Sequence, residues 1–176
     1  MPAVVLAPWS AAWPLQFERI RTELLAAFED APVRIEHIGS TAVPGLVAKP
    51  VIDALLGAET LAVVEARIDA LAGSGYRYRP EYEDVLPTRR YFVRDADGER
   101  LRIHLHAVAE GDPIWREHLA FRDALRDDAA LRTAYRTLKC ELAARFADDK
   151  TAYGDAKGPF IRDAIDRLLG GSQRPQ

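Results

Sequence analysis

One cysteine in 176 residues, Cys140, excludes an internal disulfide and any zinc module built on cysteines. A lone thiol fits a reducing compartment, so the cytoplasm is the expected location. Charge of one sign is not in excess: 24 Lys and Arg stand against 27 Asp and Glu, a net charge of -3. No overall positive field therefore draws the chain to nucleic acid or to an anionic membrane, and neither partner is expected. No apolar run reaches the length needed to span a bilayer, and Met1 to Pro8 carries no basic segment of the kind that opens an export signal. Two phosphate-binding fingerprints are missing as well. Gly45 is followed by Leu46-Val47 where a P-loop needs Lys and Ser or Thr, and no Gly-x-Gly-x-x-Gly follows a strand. Repeats, heptads and low-complexity blocks are likewise absent from the sequence.

With 48% hydrophobic residues the chain can bury one sizeable core, and the expectation is a single domain over residues 1–169 with a flexible tail at 170–176. Ser10 is placed to cap a helix in which Trp13, Phe17, Ile20, Leu24 and Phe28 recur at steps of three and four. Val33 to Ile38 reads as a short strand and Val51 to Leu56 as a buried one, joined by a turn at Pro44-Gly45. Residues 60–72 have helical spacing and stop at Gly73-Ser74-Gly75. Period-two alternation from Arg89 to Val108 around Asp95-Ala96-Asp97-Gly98 predicts a hairpin, with Ile103, Leu105 and Ala107 on one face and Arg102, His104 and His106 on the other. Asp112-Pro113 opens a helical second half: one helix there, a second on the stripe Leu131, Tyr135, Leu138, Leu142 and Phe146, and a third around Phe160 to Leu169.

Chemistry concentrates in Glu36-His37-Ile38-Gly39-Ser40-Thr41 and in Lys49-Pro50-Val51-Ile52-Asp53. A carboxylate kept among Val51, Ile52, Leu55 and Leu56 costs several kcal/mol (roughly) unless it is paired, protonated or metal-bound, so Asp53 is the first candidate for a function. A glycine after a strand lets backbone amides approach a phosphate, a serine hydroxyl adds a donor, and a carboxylate on the next strand can hold the divalent ion that neutralises that phosphate. Gly39, Ser40, Thr41 and Asp53 supply those parts, although an ordinary turn would use the same residues. His104 and His106 project from one strand face about 7 Å apart, near enough to share a metal ion or an anion, or to be hydrogen-bonded imidazoles with no ligand. In the helical half, Arg122, Lys139 and Lys157 sit beside apolar stripes, where they reach phosphates across a cleft or simply lie along a solvated border. Lys49 joins them as a phosphate candidate, with weaker claims for Arg89 and Arg90. Cys140 is expected at a helix interface. A Ser40 nucleophile served by His37 lacks an elbow and an orienting acid.

Together, Trp13-Pro14, Glu36-His37-Ile38-Gly39-Ser40-Thr41-Ala42-Val43-Pro44-Gly45, Lys49 to Asp53, His104-Leu105-His106, Phe121-Arg122-Asp123, Leu138-Lys139, Tyr153 and Lys157 resemble the GrpB-like family of the nucleotidyltransferase-fold superfamily. The resemblance runs from about Pro8 to Leu169. It implies an α+β fold, a small mixed β-sheet flanked by helices with a helical C-terminal half, and a family also found joined to dephospho-coenzyme A kinase. It further implies transfer of a nucleoside monophosphate from a nucleoside triphosphate to a small acceptor with a divalent metal. Gly39 and Ser40 match the superfamily's turn and Asp53 one acid of its pair. The residues two before and two after Asp53, Val51 and Leu55, are apolar, and His104 and His106 stand where a third acid is expected. A one-metal site of Asp53, His104 and His106 is therefore expected, its imidazole pair favouring zinc or a transition metal such as manganese over magnesium. A degenerate nucleotide- or coenzyme A-binding module and a metal-dependent phosphoester hydrolase remain as alternatives.

Overall fold

The computed structural model describes residues 4–170. Five strands form one mixed sheet: β1 (Val33–Ile38), β2 (Val51–Ala58), β3 (Arg77–Tyr78), β4 (Arg89–Arg94) and β5 (Arg102–Ala109), in spatial order β1-β2-β5-β4-β3. β2 and β5 run parallel at the centre, and every other pair is antiparallel. The period of two along each strand sends alternate residues to opposite faces. One face carries Ile35, Ile52, Ala54, Leu56, Ile103, Leu105 and Ala107. Against it packs helix α1 (Ala12–Phe28), whose Trp13, Phe17, Ile20, Leu24 and Phe28 form the buried stripe that the spacing predicts. Ser10 Oγ accepts the Ala12 amide at 3.2 Å, so the expected cap is made.

Residues 60–72 depart from the expectation of a single helix. They form two short ones, α2 (Leu61–Glu65) and α3 (Ile68–Gly73), broken at Ala66-Arg67, and both still bury an apolar residue, Val64 and Leu71, in the same core. The segment between α3 and β4 supplies β3 and a single 3-10 turn at Pro80–Tyr82. These are too short for periodicity to reveal.

On the opposite sheet face α4 (Pro113–Asp127) packs Ile114, Trp115 and Leu119 on Ile38, Leu55 and Val108, and α5 (Ala129–Arg145) and α6 (Lys150–Gly170) pack against α4 and the β1–β2 connection. Asp112 and Asp128 cap α4 and α5 by accepting amides of their first turns. Helix α6 begins ten residues before the expected start at Phe160, because burial of Tyr153 and packing of Ala156 against α5 residues outweigh the glycines and Pro159 in its interior. Cys140 corrects another expectation. It faces solvent, since Tyr135, Lys139 and Leu142 take the inward stripe of α5. Residues 171–176 of the expected flexible tail lie outside the described residues. No described helix is long and apolar enough to cross a membrane.

Candidate active site

β1 ends at Ile38, and Gly39 then turns the chain with φ of +70° into a single 3-10 turn over Ser40–Ala42. Two constraints demand glycine there. A left-handed φ disfavours a side chain, and a Cβ on Gly39 would lie 2.4 Å from Asp53 Oδ2. The turn therefore lies against the Asp53 carboxylate. It is fixed from behind by Trp9 Nε1, which donates to Thr41 O at 3.1 Å, and by His37 Nε2, 3.0 Å from Thr41 Oγ1. His37 stacks on Phe17 at 4.6 Å on the α1 side of the sheet. Burial, reinforced by Arg126 and Arg122 and opposed by Asp53, pushes its pKa down to about 4, so it is a neutral imidazole at neutral pH.

The β2–β5 register puts Asp53 directly beside His104, with His106 beside Leu55 on the same face. Asp53 Oδ1 is 3.3 Å from His104 Nδ1 and 4.0 Å from His106 Nε2. Each imidazole has an arginine on its far nitrogen: Arg102 Nε lies 3.3 Å from His104 Nε2, and Arg89 Nη1 3.1 Å from His106 Nδ1. A guanidinium only donates, so those far nitrogens accept and the near nitrogens carry the protons that face Asp53. Burial alone would raise the Asp53 carboxyl, but the neighbouring imidazoles of His104 and His106 outweigh it and hold the group well below the usual carboxylate range. Burial depresses the His106 pKa against the pull of Asp53.

This arrangement alters the expected metal set. Asp53, His104 and His106 do converge, yet as a carboxylate faced by two imidazole nitrogens at 3.3 and 4.0 Å, because the lone pairs that would bind a metal are taken by Arg102 and Arg89. Among the described residues, no group of three or more His, Cys, Asp or Glu is placed to hold a metal ion. A His-His zinc site does not fit this tautomer pattern. A single magnesium or manganese ion does fit, since such an ion takes one carboxylate and completes its shell with water and substrate phosphate oxygens.

Three lysines close the site. Lys49, Lys139 and Lys157 line a cleft of about 140 Å³ with Ser40, Thr41, Asp53, His104 and Tyr153. Lys139 is 2% exposed and donates to Val47 O. The Lys49 and Lys157 ammoniums stand 5.2 and 4.5 Å from the centre of the buried Tyr153 ring. Burial, helped by Lys157 and opposed by Asp53, brings Lys139 down to about 7. Burial and Lys49 bring Lys157 down to about 8. An anion entering this cleft would meet amines that gain by being protonated.

Arg122 is not part of this cleft. It pairs with Glu36 at 2.8 Å and Asp123 at 2.7 Å and donates to His37 O, so its charge braces α4 against β1. His37 likewise faces away from Asp53. The histidine that joins His104 and His106 is His118 of α4, whose ring is 5.8 Å from that of His106 and whose pKa burial lowers to about 4. Sequence reasoning put Arg102 on the same strand face as His104 and His106 without giving it a role. It noted Tyr153 only for its four-residue spacing from Lys157 and as part of the family resemblance.

A Gly-Ser turn after one strand, a carboxylate on the next, a parallel neighbour strand and helices closing one sheet face define a nucleotidyltransferase-like fold. Consistent with this, the structure superposes on the Cid1 poly(U) polymerase with MgGTP bound at a TM-score of 0.55 over 85% of this chain and 50% of that one, at 9% identity, a likeness of fold alone. The chain belongs to the GrpB family, whose protein description, "GrpB protein", matches residues 3–167. It is 35% identical to the UPF0157 protein SCO7215 of Streptomyces coelicolor over 96% of this chain and 86% of that protein. The crystal structure of the conserved protein GrpB from Enterococcus faecalis matches at a TM-score of 0.83 and 32% identity, covering 97% of this chain and all of that one. Other relatives are longer. The chain spans 44% of the UPF0157 protein YqkA of Bacillus subtilis, at 31% identity, and 46% of a dephospho-CoA kinase of Mycolicibacterium paratuberculosis, at 32%.

Proposed function

We propose that this domain transfers a nucleoside monophosphate from a nucleoside triphosphate to a small acceptor. The observation that carries the reading is the convergence of the Gly39-Ser40 turn, Asp53 and three lysines on one small cleft. Ser40 and the turn amides hold phosphate oxygens, and Lys49, Lys139 and Lys157 offset the charge of the leaving pyrophosphate. Asp53 is ionised and would hold a magnesium or manganese ion, which when bound neutralises phosphate charge. The acceptor oxygen bonds to the α-phosphorus as the bond from that phosphorus to the bridging oxygen breaks, and pyrophosphate leaves with that oxygen. His104 takes the acceptor proton on Nε2, exchanging its long contact with Arg102 for the acceptor hydroxyl, while its Nδ1–H stays on Asp53.

Isothermal titration of ATP, GTP, CTP and UTP into metal-stripped protein, with and without Mg²⁺, Mn²⁺ or Zn²⁺, tests the reading. Metal-dependent binding of a triphosphate that disappears in Asp53→Asn is expected. Absence of binding under every condition overturns it.

The apolar neighbours of Asp53, Val51 and Leu55, favour a second reading, in which the same cleft binds a nucleotide or a coenzyme A-like anion without chemistry. Tight binding with no pyrophosphate release across a panel of acceptors separates the two.

A further inference from the structure

A second cavity, of about 560 Å³, adjoins the lysine cleft and shares Lys49, Val51 and His104 with it. Its other walls come from β4 and the turn before it, with Lys150 and Thr151 from the start of α6. Tyr91 stands on β4, Tyr82 ends the 3-10 turn before β4, and their rings meet edge to face at 5.2 Å and 84°. Arg79 lies over the Tyr82 ring at 5.4 Å and pairs with Glu81 at 2.6 Å, Arg102 pairs with Asp95 at 3.1 Å, and Lys150 adds a further positive charge. No carboxylate among the described residues lines this groove. Its volume falls in the range of small-molecule sites, and that of the lysine cleft, about 140 Å³, falls below it.

Strand order fixes how the two cavities relate. The Gly-Ser turn follows β1, Asp53 is on β2, His104 on β5 and Tyr91 on β4, and these strands lie side by side in that order. The lysine cleft and the groove meet at Lys49, Val51 and His104, so a phosphate in the cleft and a molecule in the groove would lie next to each other across His104. Aromatic rings offer a planar partner a stacking surface. Arginine suits an anionic group held beside it.

We propose that the groove between Tyr82, Tyr91, Arg79 and Arg102 is the subsite of the second substrate, an acceptor that joins a planar ring to an anionic group. The assignment of this occupant as acceptor rests on the transfer reading above; the existence of the subsite does not.

The probe is AMP, titrated into full-length protein with Mg²⁺ after the lysine cleft has been saturated with inorganic tripolyphosphate. AMP is expected to bind under these conditions, with adenosine and ribose 5-phosphate each about ten-fold weaker or worse, since each offers only one of the two recognised features. Tyr82→Ala and Arg79→Gln, both at partly exposed positions away from Asp53, should each weaken AMP by about ten-fold without changing tripolyphosphate affinity. Loss of AMP binding on adding tripolyphosphate, or indifference of AMP to both substitutions, overturns the subsite. Displacement of AMP by the β,γ-methylene analogue of ATP, but not by tripolyphosphate, overturns the acceptor assignment, because the groove would then hold the nucleoside end of the triphosphate. Failure of tripolyphosphate to bind at all counts against the transfer reading alone, and the AMP titrations without it then decide the groove.

Discussion

The two faces of the central sheet are built from the same five strands and obey different chemistry. On the α1 side every inward position of β2 and β5 is aliphatic, and Ile52, Ala54, Leu56, Ile103 and Leu105 are fully buried. On the α4–α6 side the alternate positions of those strands carry Asp53, His104 and His106, linked to Arg102 and Arg89 and overlooked by lysines from two helices. Apolar burial stabilises the first face whatever the details of its packing. The second face keeps its polar groups only because each has a partner or an opening to the cleft. One face thus holds the fold together, and the other spends part of that stability on a charged site.

Paired substitutions on opposite faces of β2 test that division most strongly. Leu56→Ala should cost about 2–5 kcal/mol in urea unfolding while leaving triphosphate affinity of the folded protein unchanged. Asp53→Asn should do the reverse, lowering metal-dependent triphosphate affinity by about 100-fold or more with little loss of stability. Equal effects of the two on affinity would dissolve the distinction between faces.

His37 offers a pH test of the apolar side. Its folded pKa of about 4 lies below its unfolded value of 6.5, so the unfolded chain binds more protons between those values. Stability is fully present above about pH 6.5 and falls as pH drops towards 4, by up to roughly 3 kcal/mol. His118, lowered to the same value, adds to this slope. Denaturant titrations of wild type and His37→Asn between pH 7 and 4 should show a shallower decline in the variant.

Gly39→Ala sits where the two faces share a turn. A positive φ and a Cβ aimed at Asp53 Oδ2 predict a loss of about 1–3 kcal/mol, together with weakened triphosphate binding, because the carboxylate must move. Calorimetric unfolding and the titration above read the two consequences separately.

The smallest effect is expected at Lys139. Lys139→Met should leave stability equal or slightly higher, since it removes a buried amine, and should weaken tripolyphosphate by about ten-fold. In wild type that affinity should rise as pH falls through 8 and 7, where Lys157 and Lys139 take up protons. The variant should keep only the upper part of that rise.

The apolar face was legible because its signals are periodic. The i, i+3 and i+4 stripe of α1 and the alternation of β5 record directly which side must leave water. The same periodicity missed the break at Ala66-Arg67, the early start of α6 and the two-residue strand β3, all of which depend on contacts distant in sequence. For the candidate site, sequence named Asp53, Ser40 and the lysines as types of residue, and the fold brought Lys49, Lys139 and Lys157 to one cleft across about a hundred residues of chain. It sent Arg122 elsewhere, to Glu36 and Asp123.

By itself, then, the sequence determined the apolar stripes, the helix starts at Ser10 and Asp112 and the membership of the family, because these follow from local spacing and residue type. Only the tertiary structure decided that Arg102 and Arg89 occupy the free nitrogens of His104 and His106, that Lys139 is buried rather than marginal, and that a second cavity opens beside Tyr82 and Tyr91. Those outcomes depend on which groups the parallel pairing of β2 with β5 and the packing of α5 and α6 set within a few ångströms of each other. Hydrogen bonding and charge act over that range, and no single stretch of chain encodes it.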